Sequence, residues 1–116
     1  MRENLWRDDF DSQLSDILNR AGDIHLFPAV CPICGDSSCH VYYHRFSETS
    51  DRGGSWVWCS HCRHFSHFSC VVPKWWKNTS DIDRAQLAAI PDYLEGKKEM
   101  IDNWLNKLLS DKLQQS

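Results

Sequence analysis

Cys31-Pro32-Ile33-Cys34-Gly35 and Cys59-Ser60-His61-Cys62 set two Cys-x-x-Cys units in one chain, with 24 residues between Cys34 and Cys59. Two cysteines separated by two residues can both reach one ion from a tight turn, and four such ligands complete the tetrahedron of a structural zinc site. Pro32 restricts the first turn and Gly35 gives the backbone freedom to leave it. The intervening segment is long enough for an outgoing strand, a tip and a returning strand. Cys31, Cys34, Cys59 and Cys62 are therefore the predicted ligands of a single structural Zn2+.

Working outward, residues 40–46, 55–59 and 64–72 are rich in aromatic and β-branched side chains and are predicted strands. Ser47 to Gly54 is polar and ends in two glycines, which suits a hairpin tip. A three-stranded antiparallel sheet follows. With helices on either side, the predicted fold class is α+β.

Residues 31–72 resemble a zinc ribbon, in which two such knuckles at one end of a three-stranded sheet clasp one zinc ion. The CPICG and WCSHC segments carry the resemblance, which covers about a third of the chain. It implies a metal site and a fold. It implies no activity, because ribbons serve transcription factors, enzymes and protein-docking modules alike.

On the N-terminal side, Leu5, Trp6, Phe10, Leu14, Ile17 and Leu18 recur at helical steps between Glu3 and Arg20, and Gly22 supplies a stop. The opposite face carries Asp8, Asp9, Asp11, Asp16 and Arg20. It reads as a solvated surface or as an acidic docking face. On the C-terminal side, Ser80 with Asp83 resembles a helix cap ahead of Ile82, Leu87 and Ile90, and Pro91 interrupts. Met100, Ile101, Trp104, Leu105, Leu108 and Leu109 then form an apolar stripe, with Lys97, Lys98, Glu99, Asp102, Lys107 and Asp111 mostly elsewhere. The 116 residues are expected to form one domain: an N-terminal helix and linker over 1–30, the ribbon over 31–78 and the C-terminal helices over 79–116.

Six cysteines in a secreted chain would suggest three disulfides. MRENLWRDDF at the N-terminus, with Glu3, Asp8 and Asp9, lacks the apolar run of an export signal, and no stretch approaches the roughly twenty apolar residues of a membrane span. The expected location is the cytoplasm, where paired cysteines hold metal rather than disulfides. A redox Cys-x-x-Cys would open a helix in an alternating strand and helix pattern, which is absent. Cys39, His40, His61, His64, His67 and Cys70 lie near the knuckles, so a substitute ligand or a second metal is an alternative to a purely packing role.

The formal net charge is −3, and only residues 31–78 are basic, with five cations against three acids. No strongly basic face is apparent. The nucleic-acid reading rests on Tyr42, Tyr43, Arg45 and Arg52 around the hairpin and on Lys74, Trp75, Trp76 and Lys77 after the sheet, where aromatics between cations could stack on bases. For catalysis, neither a nucleophile beside a base nor a phosphate-cradling loop stands out, and a closed four-Cys site leaves no position for activated water.

Protein recognition fits more of the chain, because Trp and Tyr anchors on a zinc-stapled platform with acidic flanks suit a basic partner. The overall organisation is similar to that of immunity proteins that cap secreted bacterial toxins, notably in contact-dependent inhibition systems. That resemblance implies a non-enzymatic protein that neutralises a basic toxin domain, and it transfers no residue. On charge alone, Asp8, Asp9 and Asp11, or Glu48 and Asp51, are the candidate groups for blocking a basic cleft. A nucleic-acid-binding or transcription-associated ribbon is the alternative.

Overall fold

The computed structural model describes residues 6–8, 13–14, 16–17, 27–47, 49–88 and 90–114. Its centre is an antiparallel sheet of order β1-β2-β3, with β1 at Cys39–Arg45, β2 at Arg52–Cys59 and β3 at Phe65–Val71. Cys39 stands opposite Cys59, and Trp58 opposite Phe65. That register brings the second knuckle, which joins β2 to β3, beside the chain entering β1. Ala29 pairs with Cys39 through two backbone hydrogen bonds of 2.8 and 2.9 Å, which holds the first knuckle at the same end.

The hairpin tip is shorter than the sequence predicts. β2 begins at Arg52, so Gly53 and Gly54 lie inside the strand and the turn is confined to 46–51. The glycine at 53 answers a packing demand: a Cβ there would run into the His44 carbonyl and Val72 Cγ2. Across β1 and β2 both faces are buried. Alternation of polar and apolar residues is therefore weak, and aromatic content is the better strand signal.

After the sheet, Asp83 and not Ser80 makes the cap. Its carboxylate accepts from the Ala85 N–H at 3.0 Å and ends in a single 3-10 turn, Arg84–Gln86, in place of the expected helix. Pro91 leads into the short α1, Asp92–Glu95, and then α2, Lys98–Gln114. In α2 the predicted stripe holds, with Ile101, Leu105, Leu108 and Leu109 buried and Met100 and Trp104 half-buried against the core. Asp102 departs from it. Expected on the wet face, it is 7 % exposed where α2 packs on β1.

At the N-terminal end, Trp6, Leu14 and Ile17 are buried, and Gln13, Leu14, Asp16 and Ile17 are helical. The helix expected from Glu3 does not include residues 6–8. Arg7 bridges to His64, donating its N–H to the Arg63 carbonyl at 2.9 Å and accepting from the Phe65 N–H at 2.8 Å. Most of the remaining span to Arg20, with Asp9, Asp11 and the linker to Leu26, lies outside the described residues.

Candidate metal centre and its polar surround

The two knuckles are the same turn built twice. In the first, Cys31 donates its N–H to the Asp36 carbonyl at 2.8 Å and accepts from the Gly35 N–H at 2.9 Å. In the second, Cys59 donates to the His64 carbonyl at 3.0 Å and accepts from the Arg63 N–H at 3.0 Å. The residue four places after each leading cysteine has positive φ, 79° at Gly35 and 64° at Arg63. Glycine takes that conformation without strain, whereas arginine needs support. Arg63 receives it from residues 6–8, through the backbone bond to Arg7 and a guanidinium 4.9 Å from the centre of the Trp6 ring.

These turns bring the four sulfur atoms of Cys31, Cys34, Cys59 and Cys62 within 4.8 Å of one another. Cys31 and Cys62 are 3.8 Å apart, and Cys34 and Cys59 3.7 Å. With Zn–S bonds of about 2.3 Å, a tetrahedral site has sulfur atoms about 3.8 Å apart, so the donor set fits such an ion. Cys31 and Cys59 are buried, Cys62 is half-buried and Cys34 is exposed, which puts the cluster at the rim of the core with a path for the metal. All six cysteines are free of disulfides.

The cluster is tuned for charge in an uneven way. Burial works to raise the Cys31 thiol, but N–H groups of Cys34 and Ile33 aimed at its sulfur outweigh this and bring it down to about 7. Burial is the largest cause that pushes the Cys59 and Cys62 thiols up, joined by the hydrogen bond with Cys34 at Cys59 and those with Cys59 and Cys31 at Cys62. Four clustered thiols resist joint ionisation without a compensating cation, which is the condition a divalent metal relieves. Cys39, opposite Cys59, is buried, and burial followed by the charges of Cys31 and Cys59 pushes its thiol far up. It stays a protonated neighbour of the cluster.

Among the described residues, no other group of three or more metal-ligating side chains converges. His40 is engaged elsewhere: its Nδ1 meets the two Asp102 oxygens at 2.8 and 2.9 Å, and its Nε2 meets Ser60 Oγ at 2.9 Å. His67 Nδ1 meets the Ser55 carbonyl at 2.9 Å, and its ring stacks on Trp56 at 4.3 Å. Ser60 in turn donates to Glu95 Oε2 at 2.8 Å, an oxygen that also accepts from Trp58 Nε1 at 2.9 Å, while Lys98 reaches Glu95 Oε1 at 3.1 Å. Asp102, His40, Ser60 and Glu95 thus run as one chain from α2 to the second knuckle and on to α1. Sequence reasoning missed this chain, because Asp102 and Glu95 are remote in sequence from the cysteines.

The order aspartate, histidine, serine invites comparison with a hydrolase. Here Ser60 sends its proton to a carboxylate, and it lines neither of the two cavities described below. The arrangement fastens helices to the knuckle.

The aromatic residues proposed for base stacking are mostly interior. Tyr42, Tyr43 and Trp76 are buried against one another, with Trp75 half-buried beside them. At the far end of the sheet Phe46 and Val71, 58 % and 59 % exposed, flank exposed Arg52. Phe46 also lines a cavity of about 370 Å3 with His44, Trp56, His67 and Arg84. Burial, and then the charge of Arg84, lowers the His44 pKa. Asp8 and Asp51 are exposed, and Glu48 lies outside the described residues. No helix among the described residues is long and apolar enough to cross a membrane.

Neither family models, nor curated proteins, nor solved structures matched the chain.

Proposed function

We propose that this chain is a non-enzymatic protein-binding module of the zinc-ribbon type, in which one Zn2+ held by Cys31, Cys34, Cys59 and Cys62 is structural. The observation that carries the reading is the closed, all-thiol donor set with sulfur spacings matching a tetrahedron. Such a site leaves no coordination position for a reacting water, so the ion stabilises the fold and does no chemistry.

Protein recognition is supported by exposed Phe46 and Val71 beside the aromatic cavity, since exposed apolar groups with a polar rim are the ordinary makings of an interface. Toxin neutralisation is the narrowest form of the reading, with exposed Asp8 and Asp51 as the groups facing a basic partner.

Two experiments test it. Zinc-loaded protein titrated with single- and double-stranded polynucleotides across a salt series should give no binding at physiological salt. Micromolar affinity that falls steeply with salt would replace the reading by a nucleic-acid module. For the immunity form, co-expression with a toxic product encoded beside the gene should restore growth, and Asp51→Lys should weaken the rescue. Absence of rescue sinks the immunity role while leaving the zinc module standing.

A further inference from the structure

Arg45, Lys74, Trp76, Lys77 and Asn78 line a cavity of about 570 Å3. Arg45 ends β1 and the other four come from the connection after β3, so the fold assembles what the sequence separates. Among the described residues no acidic side chain lines it, in a chain whose formal net charge is −3.

Its floor is fixed. The Arg45 guanidinium donates from Nη1 to the Ser50 carbonyl at 3.0 Å, and from Nη2 to the Pro73 and Trp76 carbonyls at 2.9 and 3.2 Å. Asn78 Oδ1 accepts from the Arg45 backbone N–H at 2.9 Å and from the Trp76 indole at 3.0 Å, and its Nδ2 donates to the Arg45 carbonyl at 2.9 Å. A guanidinium has five N–H donors, so these bonds leave two uncommitted among the described residues. Every one of these acceptors is a neutral carbonyl, and among the described residues no carboxylate pairs with the Arg45 guanidinium. Lys74 and Lys77 are exposed and pair with no described carboxylate. A fourth cation stands close by, because Lys107 lies 5.6 Å over the Trp104 ring, whose indole donates to the Lys77 carbonyl at 2.8 Å.

A rigid guanidinium fork with mobile ammonium groups around it suits an anion carrying several charges in a small volume. Trp76 is 2 % exposed and cannot offer an open ring to a base, which favours recognition of the phosphate groups alone. We propose that this cavity binds the diphosphate group of a small phosphorylated molecule, with Arg45 as fixed anchor and Lys74 and Lys77 as arms that close on it.

The test is calorimetric titration of the zinc-loaded chain with sodium pyrophosphate, ADP, sodium sulfate and an oligothymidylate lacking terminal phosphate, at matched ionic strength. Pyrophosphate should bind with Kd of about 10–100 μM at low salt and more weakly as salt rises. Lys74→Glu/Lys77→Glu should weaken it at least about tenfold, the loss expected when two attractive charges are reversed. Because both lysines are exposed, circular dichroism and melting of that variant should match the parent, and Lys97→Glu, outside the cavity, should bind normally. Affinity for ADP above that for pyrophosphate would make a nucleoside diphosphate the ligand, and equal affinity the diphosphate alone. No binding of either up to about 1 mM, sulfate binding as well as pyrophosphate, tighter binding of the oligothymidylate, or full binding by the double variant would each overturn the proposal.

Discussion

His40 on β1 and Asp102 on α2 meet inside the protein, with the imidazole Nδ1 2.8 and 2.9 Å from the two carboxylate oxygens. No other described contact joins the C-terminal helix to the sheet through paired polar groups so deeply buried. Removing one partner leaves the other desolvated without its hydrogen bond. Asp102→Leu should therefore cost about 3 kcal/mol of stability. His40→Leu/Asp102→Leu should cost less than the sum of the two single changes, as a double-mutant cycle of denaturant midpoints would measure. Additive losses would mean that the pair contributes nothing as a pair.

Glu95 makes the same chain sensitive to acid. Burial alone would raise its carboxyl, but hydrogen bonds from Ser60, Lys98 and Trp58 together outweigh it and hold the carboxyl below the usual range. A carboxylate with a lowered folded pKa contributes stability above its unfolded pKa and loses that contribution as pH falls through the folded value. Glu95→Gln should thus be clearly less stable than the parent at neutral pH, and the gap should narrow below about pH 4.5. Melting temperatures of both proteins across that range would check it. A gap that widens with acid contradicts the sign, and acid loss of metal affects both proteins alike.

The cysteines divide into two sets. Cys59→Ser removes one of four clustered sulfurs and should abolish stoichiometric zinc, with a stability loss of up to the order of 10 kcal/mol that structural zinc supplies in small domains. Cys70→Ser, at a half-buried thiol outside the cluster, should keep one zinc per chain. Native mass spectrometry distinguishes the outcomes. Retention of zinc by the Cys59 variant would point to a substitute donor, for which Cys39 is the nearest thiol.

Gly53→Ala should destabilise the protein by about 2 kcal/mol or more, because the added methyl collides with backbone at His44 and with Val72 rather than with a movable side-chain tip. Thermal unfolding measures it. An unchanged melting point would show that β1 and β2 separate more easily at this end than their register implies.

The cluster itself was legible in the sequence because its ligands come as two local pairs, and a local turn can be read from spacing alone. The α2 stripe was legible for the same reason, since helical periodicity is a local property. Asp102 was not, because a lone acid on an apolar helix looks like part of the wet face until His40 from another element meets it. The hairpin was misread at Gly53, where glycine answers a close approach of β1 and Val72 rather than a turn. Arg63 shows the same limit, because its positive φ is held by residues 6–8, more than fifty positions earlier.

X-ray absorption at the zinc edge of the purified, metal-loaded chain addresses the four-sulfur site most directly. One equivalent of zinc should be surrounded by four sulfur scatterers at about 2.3 Å. Nitrogen or oxygen in the first shell, or a chain that folds fully without the metal, would contradict it.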